Sequence, residues 1–260
     1  MRILIDVGNS VTKVVLNKGH KITIVKSINY IKNNKYQSQL KKTIKSILSK
    51  NIISDVFSAS VNREALKIVK NVIAEFKDLK FKNLKSRELP NFKIKYKKIE
   101  KFGIDRFYNC LGARSLSVKN NFIIFDIGTA TTVDVIDKKF NYLGGLIIPG
   151  PLTSFSSLIG STSMIGKHNL LINQKLLGLS TEQCLSSGFI QSTSLMIDSL
   201  CKKISKEFGL RFKVLITGGL ADIFSRHISI LHNKDKFLIF KGMIYFIENN
   251  NKYENKNLQL

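Results

Sequence analysis

One twelve-residue pattern occurs twice, and it restricts the fold more than any other feature of the chain. Residues Ile123 to Asp134 read Ile-Ile-Phe-Asp-Ile-Gly-Thr-Ala-Thr-Thr-Val-Asp. Residues Ile3 to Val14 read Ile-Leu-Ile-Asp-Val-Gly-Asn-Ser-Val-Thr-Lys-Val. At an offset of 120 residues Asp6 aligns with Asp126, Gly8 with Gly128 and Thr12 with Thr132. Each copy is a short apolar run ending in Asp, a Gly turn, and a second β-rich run, which predicts a strand–turn–strand hairpin. One copy would be an ordinary hairpin. Two in register, about half a chain apart, imply a duplicated unit with one ligand between the copies.

The bulk properties agree with a folded duplicate. A chain of 260 residues with 43% hydrophobic residues and three prolines can bury one large or two small cores. The first apolar run is broken by Asp6, so no secretory signal is expected, and no stretch is apolar enough to span a bilayer. Cys110, Cys184 and Cys201 are odd in number and lack metal-ligand spacing, which predicts reduced thiols in a cytoplasmic protein. The formal charge of +24 raises the question of nucleic acid. However, Lys outnumbers Arg by 35 to 7, whereas base and phosphate readers lean on the Arg fork. The lysines crowd the chain before residue 102 and are nearly absent from Phe102 to Gly166, where the motifs sit. Abundant Asn and Ile fit an AT-biased genome. The expectation is a general affinity for polyanions, with no specific nucleic acid and no membrane partner.

Along the chain, residues 2–7 and 11–16 read as strands, and Asn17-Lys18-Gly19 turns into a third near 21–26. Leu40, Ile44, Ile47 and Leu48 mark a helix. A short strand over 55–59 follows, then a helix capped by Asn62 with Leu66, Val69, Ile73 and Phe76 on one face. The alternation Phe92, Ile94, Tyr96 predicts a strand, and Phe107, Cys110 and Leu111 predict a helix closing near Ser117. Lys119-Asn120-Asn121 is the expected junction, giving domains of 1–118 and 119–260. The second half repeats strands at 122–127, 131–136 and 141–148, after which Gly144-Gly145 and Pro149-Gly150-Pro151 break the pattern. Ser180 and Gln183 have capping-box spacing for a long helix with Leu185, Phe189, Met196 and Leu200 facing inward, ended by Gly209. Strands at 213–217 and 236–240 precede a terminal helix with a polar, frayed tail from Asn249. The class is α/β.

The hairpins carry recognisable chemistry. A Gly in a strand–strand turn leaves backbone N–H groups open to an anion, and a strand-end carboxylate can hold hydrated Mg²⁺. Gly218-Gly219 directly after a strand leaves a flat surface on which a ring such as adenine can lie. Hairpin, hairpin and Gly-Gly, in that order, resemble the ATP site of the actin, sugar-kinase and heat-shock-ATPase superfamily. Gly103-Ile104-Asp105-Arg106 resembles the Gly-Ala-Asp-Arg motif of type III pantothenate kinases, and Asp126 to Thr132 and Gly144 to Gly150 resemble that family's second phosphate motif and the segment after it.

The resemblance implies two similar ribonuclease-H-like domains, a duplicated actin-like ATPase fold, with the nucleotide in the cleft between them. It implies phosphorylation of pantothenate by ATP, the first step toward coenzyme A, in a homodimer using Mg²⁺ and a monovalent cation, K⁺ or NH₄⁺. Position by position, Asp6, Val7, Gly8, Asn9, Ser10, Val11, Thr12, Lys13 and Thr129 would meet ATP, with Asp6 on Mg²⁺ through water and Asp126 on potassium. Tyr96, Gly103, Ile104, Asp105, Arg106 and Thr181 would meet pantothenate, Thr181 across the dimer interface. Asp105 would take the proton from the substrate hydroxyl, a role that competes with capping the helix. Thr181 likewise fits a cap, and Tyr96 a half-buried strand aromatic. The chain departs from the family at Lys98-Ile99, where Asn-Pro is usual, at Ile104, which replaces a small residue, and at Asn62, where Pro is common. The alternatives are a kinase for another small hydroxylated substrate such as a sugar, and a non-catalytic nucleotide-binding transcription accessory factor.

Overall fold

The structure, a computed structural model, describes residues 1–19, 21–30, 34–85, 87–89, 91–162 and 175–257. The chain runs β1 (Arg2–Val7), β2 (Val11–Lys18), β3 (Lys21–Asn29), α1 (Asn34–Leu48), β4 (Asp55–Ser60), α2 (Arg63–Ala74), β5 (Lys80–Asn83), β6 (Lys93–Ile94) and α3 (Ile104–Leu116). It continues through β7 (Asn121–Ile127), β8 (Ala130–Ile136), β9 (Asn141–Pro149), α4 (Pro151–Ser161), α5 (Thr181–Phe208), β10 (Phe212–Thr217), α6 (Ala221–Phe224), β11 (His232–Lys234) and α7 (Leu238–Asn257).

Two compact units emerge, one of residues 1–91, 96–115 and 237–260, the other of 92–95 and 116–236. In the first, a five-stranded sheet has the order β3-β2-β1-β4-β5, with an antiparallel meander followed by parallel strands. Period-two alternation turns Ile3, Ile5, Val7 and Val14 to one face, where Tyr36, Leu40 and Ile44 of α1 and Ala65, Val69 and Val72 of α2 pack on them. Each such buried aliphatic side chain contributes about 1.5–3 kcal/mol. Asn62 caps α2 as expected, its Oδ1 accepting from Ala65 N at 3.0 Å.

The second unit repeats the meander as β7-β8-β9 in the sheet β11-β10-β7-β8-β9-β6, with β10 and β11 parallel to β7. Ile123, Phe125, Ile127, Val133 and Val135 meet Ile190, Ile197 and Cys201 of α5 on its core face. The two meanders bear out the duplicated α/β fold.

Several elements depart from the sequence reading. Lys236 to Phe240 is not a strand: β11 is earlier and shorter, and Leu238 opens α7. A short apolar run fits a buried helix as well as a strand. Leu238 and Phe240 are fully buried where α7 crosses α3. Gly112 and Gly242 allow that crossing, because a Cβ on Gly242 would lie 2.7 Å from the Tyr108 carbonyl carbon and 2.9 Å from Gly112 N. The contact groups the C-terminal helix with the first unit, whereas a division after residue 118 groups it with the second. Phe92 stacks on Phe140 at 4.1 Å and β6 pairs with β9, so the strand expected over 92–96 is two residues long and leaves Tyr96 outside it.

Gly144-Gly145 lies inside β9 rather than ending it; Gly144, at φ +142°, sits beside the register shift at Val135/Ile136. Pro149-Gly150-Pro151 starts α4, with Gly150 at the cap and Pro151 in the first turn. On α5 the buried face is Ser186, Ser187, Ile190, Thr193, Ser194, Ile197, Asp198 and Cys201, one position round from the predicted stripe. Small hydroxyl residues line it because their oxygens find carbonyls, as Ser194 Oγ does at Ile190 O (2.8 Å), while larger flanking side chains dominate an apolar-periodicity search.

Candidate active site

The first hairpin turns tightly, with Gly8 N donating to Val11 O at 3.1 Å. A Cβ on Gly8 would lie 2.8 Å from that oxygen, so the turn needs the bare residue. Asn9 and Ser10 are exposed at the tip, Asp6 and Lys13 stand opposite each other in register, and both are part-exposed. Asn62, besides capping α2, reaches the tip through Nδ2 to Asn9 O at 3.5 Å. The side chains of Val7 and Thr12 turn away from the tip. Val7 is fully buried, and Thr12 is fully buried with its hydroxyl 2.7 Å from Tyr36 OH. Their side chains serve the core, because they face α1 and not the tip. Burial raises the Tyr36 pKa, and the bond to Thr12 partly offsets the rise.

The Gly-x-Asp-Arg segment belongs to the same unit. Ile104 is the first residue of α3, so Asp105 sits in the first turn and Gly103 holds the cap position, its carbonyl accepting from Phe107 N at 3.0 Å. Asp105 is therefore not the cap. Its Oδ1 accepts from Arg106 N at 2.8 Å, and a Cβ on Gly103 would meet that oxygen at 2.6 Å and the Arg106 stem at 3.2 Å. The motif's glycine is thus the room in which the carboxylate and the arginine stem turn. Arg106 is buried, its guanidinium 5.2 Å above the Phe102 ring, and Tyr96 packs on the same ring at 5.2 Å. Phe102, which the sequence reading passed over, gathers Tyr96 and Arg106 beside Asp105. Its signal was a large aromatic immediately before the Gly. Ile104 is 3% exposed, so its side chain is buried. Where the usual Pro is missing, a 3-10 turn at Ile99–Lys101 ties the segment, with Phe102 N donating to Ile99 O at 3.0 Å.

The second hairpin is enclosed by backbone. Gly128 N donates to Ala130 O at 3.1 Å, while Thr129 O accepts from Gly150 N at 3.1 Å and from Thr153 Oγ1 at 2.6 Å. Gly218, at φ +101°, packs so closely that a Cβ would lie 2.5 Å from both Asp126 Oδ1 and Ile127 N. The Gly-Gly turn and the second phosphate motif thus form one local site. Gly219 has nothing near its Cβ direction, leaving an open face there. Thr129 is exposed, and Asp126 is part-exposed at the strand end.

Thr181 is exposed in the first turn of α5, and Ser180 Oγ provides the cap to Gln183 N at 3.3 Å. Beside it an open groove of about 820 Å³ is lined by Leu158, Leu179, Cys184, Leu185 and Phe189. Leu179 is 95% exposed.

Two sheets that each carry the same antiparallel hairpin, with glycines held against the second turn, define the actin-like ATPase fold class. Crystal structures of a Campylobacter jejuni protein described as a Baf family transcriptional activator (TM-score 0.59, 24% identity, 96% of this chain and 99% of that one) and of the ethanolamine utilization protein EutJ from Carboxydothermus hydrogenoformans (TM-score 0.52, 15% identity, 94% and 89%) share the fold. A family model described as type III pantothenate kinase matches residues 2–203. The type III pantothenate kinase of Pelagibacter ubique is 34% identical over 248 residues, covering 94% of this chain and 97% of its own, and that of Acholeplasma laidlawii is 28% identical over 252 residues, covering 97% and 100%. The chain belongs to the type III pantothenate kinase family.

Proposed function

We propose that this chain phosphorylates pantothenate with ATP, giving 4'-phosphopantothenate, the first step of coenzyme A biosynthesis, with Asp105 as general base. The observation that carries the reading is the Asp105 carboxylate, part-exposed in the first turn of α3 and oriented by the Arg106 N–H. The substrate hydroxyl gives its proton to Asp105 as its oxygen bonds to the γ-phosphorus. The bond from that phosphorus to the β,γ-bridging oxygen breaks, and ADP leaves. Arg106, with Phe102 beneath it, and Tyr96 hold the pantothenate carboxylate and chain.

The Gly8–Ser10 turn and Thr129 receive ATP phosphate oxygens, with Lys13 adding positive charge. Asp6, at a strand end with solvent access, suits a hydrated Mg²⁺, and Asp126 suits a monovalent cation. When bound, these ions neutralise phosphate charge. The exposed leucines beside Thr181 favour a second copy of the chain over this face, making a homodimer. All three cysteines are free, and no helix among the described residues is long and apolar enough to cross a membrane. The thiols support a cytoplasmic location.

The test is phosphopantothenate formation by purified protein with ATP, Mg²⁺ and K⁺. Asp105→Asn should lower kcat about 100-fold or more with the fold intact. Equal rates would remove Asp105 from the role, and faster turnover of a sugar in an acceptor panel would reassign the substrate.

A further inference from the structure

The registers of β10, β7 and β8 set Thr217, Asp126 and Thr132 abreast on three adjacent strands. All three lie on the sheet face away from the core of Phe125, Ile127, Val133 and Ile216. Directly opposed residues in such a row have Cβ atoms about 4.5–5.5 Å apart. Thr217 is 5% and Thr132 8% exposed. The Thr132 hydroxyl is out of solvent and has no hydrogen-bond partner among the described residues. A buried hydroxyl without a partner calls for a ligand or a water.

The duplicated sheet supplies an internal reference. There the corresponding row is Ala59, Asp6 and Lys13, so the cross-strand neighbour of the carboxylate position is a lysine of the chain itself. In the second copy the same carboxylate position has a hydroxyl on either side and no cationic side chain in the row.

We propose that the Thr132 and Thr217 hydroxyls flank Asp126 as neutral oxygen ligands of the monovalent cation, Thr132 taking the place that Lys13 holds in the first copy. The proposal rests on reading Asp126 as the cation ligand. One carboxylate with hydroxyl oxygens balances a single positive charge. Multiply charged ions are usually held by more carboxylates or by shared phosphates, and no cluster of three or more His, Cys, Asp or Glu among the described residues could hold a metal.

The test is thermal unfolding of the full chain, with Mg²⁺ and a non-hydrolysable ATP analogue, titrated with KCl against choline chloride at constant ionic strength. Wild type should be stabilised by K⁺. Thr132→Val should unfold no earlier than wild type in choline, since it removes an unsatisfied group, yet need about tenfold more K⁺ for half its shift, the scale expected when a metal site loses a polar partner. Thr217→Val should move the same way and Thr132→Ser should restore the response. Thr131→Val is the control: that hydroxyl is also buried and unpartnered, but lies on the core face. Its K⁺ response should match wild type. If Thr132→Val keeps the wild-type half-saturation while Asp126→Asn loses the shift, the hydroxyl ligands are overturned and the Asp126 reading stands. If Asp126→Asn keeps the shift, or wild type shows none, both fall.

Discussion

The two hairpins share a sequence pattern but differ by one residue at the turn. In the first, Val7 pairs with Thr12; in the second, Ile127 pairs with Thr131. The first turn is therefore one residue longer, and Thr12 and Thr132, aligned at the 120-residue offset, face opposite sides of their sheets. Thr12 bonds Tyr36 in the core, whereas Thr132 stands beside Asp126. The surroundings differ as well. The first tip is tied by a side-chain bond from Asn62, whereas the second is enclosed by the backbones of Gly150 and Gly218. Duplication preserved the strand-end carboxylates, and one residue in the turn reassigned the threonines.

The largest expected effects come from filling the space around the second turn. Gly218→Ala places a Cβ 2.5 Å from Asp126 Oδ1 at φ +101°, and should lower unfolding free energy by about 3 kcal/mol or more in denaturant titrations. Gly8→Ala meets a single backbone oxygen at 2.8 Å and should cost about half that. Equal losses would show that the two turns are equally confined, and the contrast would fail. Next are the threonines. Thr12→Val leaves the buried Tyr36 hydroxyl without its partner, an expected loss of about 1–2 kcal/mol, while Thr132→Val in the absence of K⁺ should lie within about 0.5 kcal/mol of wild type or above it. A reversed order would mean that the register assigns the two faces wrongly.

The smallest effect is at alkaline pH. The Tyr36 pKa is raised above 10.0, chiefly by burial, so above that pH the folded chain retains a proton that the unfolded chain has released. Stability therefore falls as pH rises past about 10, and Tyr36→Phe should flatten that fall. An unchanged slope in a pH series of unfolding midpoints would remove Tyr36 as its source.

Most strands were legible because period-two alternation and Gly or Asn turns are local signals. Asn62, Ser180 and Gly209 marked helix ends for the same reason, and each caps as expected. Misreadings arose where a local pattern has two solutions. Leu238 to Phe240 satisfies strand and buried helix alike, and only the close crossing at Gly112 and Gly242 selects the helix. The buried face of α5 was misplaced because serines, which rank as polar, become core residues once their hydroxyls reach backbone carbonyls. In the candidate site, Gly103, Asp105 and Arg106 stood out by the motif, but the seating of Arg106 over Phe102 could not be read from it.

By itself the sequence determined the duplication, the strand-end carboxylates and the glycine turns, because chain geometry at a turn depends on neighbours a few residues apart. Tertiary structure alone decided which side chains those turns present. It buried Val7, Thr12 and Ile104, set Asp105 two positions past the cap, and placed Thr132 and Thr217 on either side of Asp126. Facing and burial depend on strand register and on packing between segments far apart in the chain, and a one-residue difference in a turn reverses both.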